Sequence, residues 1–85
     1  MSEKELITLM YEKHKKWVLS AEEAALEWGS SYSYLSKLFT KDSPFSEEMI
    51  LQKQIIPKWI KYGSRRMWKI TDIAKWLVET ENIDK

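Results

Sequence analysis

Ser20 to Leu38 reads SAEEAALEWGSSYSYLSKL, and the fold turns on how this stretch is read. Ser20 is placed to cap a helix, and Glu23 three residues on can reach back to complete a capping box. Ala24, Ala25 and Trp28 then share one helical face. Gly29 marks the stop, because glycine takes the left-handed conformation that ends a helix without steric cost. Ser31 is placed to cap a second helix with Leu35 and Leu38 on its inner side. Two helices meeting this closely need a small residue at the crossing, and Ala25 stands four before the glycine. A capped helix, a glycine and another capped helix describe any αα-hairpin, but they also describe the helix-turn-helix, whose second helix enters a DNA major groove.

Charge separates these two readings. The 85-residue chain has a formal net charge of +1, unevenly spread. Lys53, Lys58, Lys61, Arg65, Arg66 and Lys69 fall within residues 49–70, where there is no acid, while the segments on either side are net negative. A basic block between acidic segments is the footprint expected of a local phosphate-binding surface.

Length and composition set the frame. Eighty-five residues make one domain, residues 1–85, able to bury a bit over half of its extended-chain surface. No cysteine is present, so disulfides and thiolate metal sites are excluded. Five Trp, four Tyr and two Phe can fill a core with few residues. No apolar run approaches the roughly 20 residues that cross a bilayer, and the N-terminal MSEKELITL lacks signal-peptide character. A cytoplasmic protein without a membrane partner is expected.

Outside the central stretch, residues 3–16 are expected to be helical. Leu6, Met10 and Trp17 form an apolar stripe that either packs on the last helix or makes a dimer contact. Trp17 to Leu19 form a β-prone entry to the Ser20 cap. Helices are expected near 21–28, 32–40 and 47–53, the last capped by Ser46. Residues 55–62 and 66–70 flank Gly63-Ser64 and read as a β-hairpin. Thr71 is the expected cap of a final helix over 72–80, and the tail 79–85 is polar and expected to fray. Trp28, Trp68 and Trp76 belong to apolar faces; Trp59 is left open between core and surface. Of Arg65 and Arg66, alternation along a strand sends one outward and packs the other, for instance on Trp68, without deciding which.

The order helix, turn, helix, hairpin, helix, with Glu23-Ala24-Ala25, Gly29, Leu35, Ile56-Pro57, Gly63, Arg65-Arg66, Trp68 and Trp76-Leu77, resembles the excisionase and MerR-type winged helix-turn-helix domains, including the AlpA-like regulators. The resemblance covers about residues 17–78. It implies a mainly α fold with a small β-hairpin, here with an extra N-terminal helix over 1–16. It also implies double-stranded DNA as partner and a role as a phage or mobile-element excisionase or transcriptional regulator. By position, Tyr32, Ser33, Ser36 and Lys37 would enter the major groove, and Arg65 and Arg66 would meet the backbone or minor groove. Ser31, Lys41, Lys61 and Ser64 complete the candidate DNA-contacting set. An integrase or other protein partner and a homo-oligomer are compatible with this reading. The alternative is a small protein-binding adaptor or inhibitor on the same fold.

Catalysis finds no support. His14 is the only histidine, has no acid three or four residues on, and is expected to be solvated. Glu22, Glu23 and Glu27 cluster on a helix without a pocket signal. No catalytic residue, metal ligand or cofactor is expected.

Overall fold

The computed structural model describes residues 2–83. Five helices and three short strands follow in the order α1 (Glu3–His14), β1 (Val18–Leu19), α2 (Ala21–Glu27), α3 (Tyr32–Leu38), α4 (Glu47–Gln52), β2 (Ile60–Tyr62), β3 (Arg65–Lys69) and α5 (Ile70–Ile83). The result is a small mixed fold, helical with one antiparallel sheet.

The helix starts are written locally. Ser2 with Glu5, and Ser20 with Glu23, form complete capping boxes, while Ser31 and Ser46 each accept one backbone N–H through their side chains. Two helix ends share one device. At the end of α2, Ser30 N–H donates to Ala25 C=O and Gly29 N–H to Leu26 C=O, with Gly29 at φ 73°. At the end of α4, Ile55 N–H donates to Ile50 C=O and Gln54 N–H to Leu51 C=O, with Gln54 at φ 52°. Both are Schellman motifs, the second with a glutamine in the left-handed position that glycine normally fills.

The sheet is larger than the expected hairpin. β3 is its central strand, antiparallel to both neighbours in the order β1-β3-β2, so Val18 and Leu19 become a third strand opposite Lys69 and Trp68. β2 begins at Ile60, not at 55, because Gln54 and Ile55 finish the cap of α4 and Pro57 has no N–H for a ladder. Tyr62 pairs with Arg65 across the two-residue Gly63-Ser64 turn. Thr71 is not a cap. Helix α5 starts at Ile70, directly after β3, because the Ile70 N–H still belongs to the ladder and donates to Trp17 C=O at 2.9 Å. α5 runs on to Ile83, into the segment expected to fray; Asp84 and Lys85 lie outside the described residues.

Trp68 is wholly buried at the centre, with Trp28 and Trp59 rings 6.1 and 6.2 Å away, and Trp76 lies 6.1 Å from Trp28. The Trp68 indole N–H donates to Pro57 C=O and that of Trp76 to Gln54 C=O, which ties the α4–β2 connection to the core. Leu19, Ala24, Ala25, Ile50, Ile70, Ile73 and Ala74 close around them, and Ala25 is inaccessible to solvent in the helix that packs on α3 and β3.

Helix α1 packs on α5 through Met10, which is buried, with Leu6 and Ile7 beside it. The stripe expected from Leu6, Met10 and Trp17 therefore divides. Trp17 lies beyond the helix and is 57% exposed, its ring 4.6 Å from that of Tyr11. The break occurs at Lys15, which caps α1 at φ 57° and redirects the chain into β1.

Candidate nucleic-acid interface

Helix α3 carries its apolar residues, Leu35 and Leu38, inward. The four-residue spacing sorts the remainder into two outer stripes. Tyr32 and Ser36 form one, and Ser33 and Lys37 the other; all four are exposed, as is Tyr34, which falls on the row of Leu38 and belongs to neither stripe. Tyr32, Ser36 and Thr40 wall a groove whose opposite side is the β2–β3 hairpin, contributing Ser64, Arg65 and Arg66. Leu35, Phe39 and Trp68 lie at its apolar base, and Glu22 from the first turn of α2 reaches its rim. Ser33 and Lys37 stand outside the groove on the same helix.

The residues expected at the site are thus brought together unequally. Ser31 is engaged as a cap, its Oγ accepting the Tyr34 N–H at 3.2 Å. Lys41 is exposed in the turn after α3. Ser64 and Arg65 are exposed at the hairpin tip, and Arg65 has no acidic partner among the described residues.

Arg66 is the arginine that packs. Its guanidinium carbon lies 3.8 Å from the centroid of the Phe39 ring, and Nη2 donates to Glu47 Oε1. The packing partner is Phe39, not Trp68. Lys61 Nζ is 3.5 Å from the other carboxylate oxygen of Glu47. The two cations hold the Glu47 carboxyl below the ordinary carboxylate range, the Arg66 hydrogen bond contributing most. Lys58 approaches Asp72 at 4.0 Å. Half of the acid-free basic block is therefore answered by acids from elsewhere in the chain, which no count along the sequence could reveal.

The same holds for His14. It is not solvated: its side chain is 9% exposed, and Nε2 sits 2.7 Å from Glu27 Oε2, with Lys13 Nζ at 3.0 Å from the same oxygen. The partner is 13 residues away, on the last turn of α2, where a carboxylate faces the negative end of the helix dipole and needs a cation. Burial pushes the Glu27 carboxyl up, but the hydrogen bonds from His14 and Lys13 outweigh it and the net shift is downward. This cluster joins α1 to α2 and stands apart from the groove's lining.

No family model, characterised protein or solved structure matches the chain. Among the described residues no helix is long and apolar enough to cross a membrane.

Proposed function

We propose that this chain is a winged helix-turn-helix protein that binds double-stranded DNA, with α2 and α3 as the two-helix unit and the β2–β3 hairpin as the wing. One observation carries the reading. Tyr32 and Ser36 of α3 and the unpaired Arg65 at the hairpin tip border a single groove, so a duplex seated along that side of α3 would meet the arginine. Phosphate contacts position such a complex and base edges specify it. Ser33 and Lys37, outermost on α3, are the candidates for base edges, and Arg65 for a phosphate or a narrow minor groove. Arg66 supports the wing from within. By the resemblance, the role is that of a phage or mobile-element excisionase or regulator.

The test is affinity for duplex DNA as a function of salt. Arg65→Ala is expected to flatten the slope of log affinity against log salt by about one, across all sequences alike. Lys37→Ala is expected to change preference among sequences. A parent protein without salt-dependent duplex affinity refutes the proposal. The adaptor reading then leads, favoured by the exposed Tyr11–Trp17 pair and by Leu26 at 65% exposure.

A further inference from the structure

Lys61 and Arg66 are register partners on β2 and β3, so two cations face each other directly across the hairpin. Like charges in that position repel and weaken a strand pair. The carboxylate that relieves them comes from neither strand. Glu47, in the first turn of α4, gives one oxygen to Arg66 Nη2 and the other to Lys61 Nζ.

Three features mark this as an anion site with a displaceable occupant. Two cations of different type converge on two oxygens of one group, an arrangement that also suits the non-bridging oxygens of a phosphate. Arg66 is fixed in place by Phe39, independently of Glu47, and its buried Nε has no hydrogen-bond partner among the described residues. Finally, Glu47 and Lys61 keep 42% and 56% of their side-chain surface, so their ion pair is solvated and weak, and the hydrogen bond from Arg66, which is 28% exposed, is the firmer of the two that hold Glu47.

We propose that Lys61 and Arg66 form a phosphate-binding pair on the wing that Glu47 occupies in the free protein, so that Glu47 is a built-in competitor setting the affinity for the phosphate. As a claim about DNA this rests on the function proposed above; as a claim about an anion site it does not. Arg66 also lines the groove beside α3, whereas Lys61 and Glu47 do not, so a phosphate taking the place of Glu47 would hold a duplex backbone against the wing next to that groove.

The experiment uses Glu47→Gln in the full chain with two probes. With inorganic phosphate, at ionic strength held constant with sodium chloride, the melting temperature of the variant is expected to rise with phosphate more than that of the parent. Lys61→Ala in the same background is expected to cancel the difference. Equal responses in parent and variant overturn the site. With a 20-base-pair duplex, the variant is expected to bind about two- to fivefold more tightly at low salt, with a salt slope steeper by roughly one to two. A phosphate response with an unchanged duplex slope overturns the DNA backbone as the source and supports free phosphate. A parent that binds no duplex refutes the proposed function, while the phosphate arm still decides the site. A variant that merely melts lower, with no gain toward either anion, reduces Glu47 to a structural brace and overturns the proposal.

Discussion

Ala25→Glu tests the crossing of α2 with α3. The native methyl is wholly buried, and its own backbone carbonyl accepts the Ser30 N–H that closes the turn at 2.9 Å. A side chain added there can neither reach solvent by a small shift nor move the helix without breaking the turn. The core contains no buried charged residue among those described, so no cation inside can neutralise a carboxylate, and the one unpartnered indole N–H nearby, that of Trp28, offers a hydrogen bond but no charge. An uncompensated buried charge costs about 3–5 kcal/mol. The total stability of a domain this size is roughly 5–10 kcal/mol. At about 4–8 °C per kcal/mol, the variant is expected to melt at least about 12 °C below the parent, or to be unfolded at 25 °C. Burial would raise the pKa of the introduced carboxyl, so its cost is largest when it is ionised. The deficit relative to the parent is therefore expected to narrow as pH falls through that raised pKa. Ala25→Ser, whose hydroxyl can bond back to its own helix, is expected to cost about 1 kcal/mol or less. Circular dichroism melts of the three proteins between pH 4 and 8 make the measurement. Melting of Ala25→Glu within about 3 °C of the parent would refute the packing of α2 on α3.

Met10→Ala is expected to cost about 2–4 kcal/mol in urea titration, since it empties the seam between α1 and α5. Deleting residues 1–14 is expected to lower the melting point further, by also stripping His14 and Lys13 from Glu27, with no change in oligomeric state by light scattering. Lys15→Gly is expected to stabilise by about 0.5–1 kcal/mol, because φ 57° strains a lysine and not a glycine; a loss of stability would assign Lys15 a contact of its own. Lys16 and the Ser20 backbone N–H hold the Glu23 carboxyl at about 2, below its ordinary 4.5. A depressed pKa contributes stability above pH 4.5 that is lost as pH falls toward 2. Glu23→Gln should therefore flatten the melting-temperature curve over that interval, and an unchanged curve would place the acid sensitivity elsewhere.

What was legible in the sequence was local. The Ser20 and Ser31 caps, Gly29 and the Gly63-Ser64 turn each act within a few residues, and the α2–α3 unit and the hairpin tip came out close to their observed bounds. What was missed depends on partners far along the chain. Val18 and Leu19 read as β-prone, but their pairing partner, β3, lies about 50 residues later and left no local sign. Thr71 looks like a cap until the Ile70 N–H is seen to belong to Trp17. His14 looks solvated until Glu27 is placed beside it. In the candidate site, Tyr32 and Ser36 follow from their places on the second helix, and alternation along the strand sends one of Arg65 and Arg66 outward without saying which. That Arg66 packs on Phe39 and that Glu47 answers two cations could not follow, because residues 41–54 carry no signal of where α4 docks.

The position of β3 in the sheet has a consequence for how the chain acquires its shape. The central strand, and with it Trp68, Ile70 and Ile73, comes from the last quarter of the sequence. Both flanking strands and all four earlier helices precede it. α1 likewise has no apolar partner until α5 exists. During synthesis the two-helix unit can form early, but it has no core to close on. Folding is therefore expected to wait for nearly the whole chain and then to occur as one event, with the first helix among the last pieces to dock.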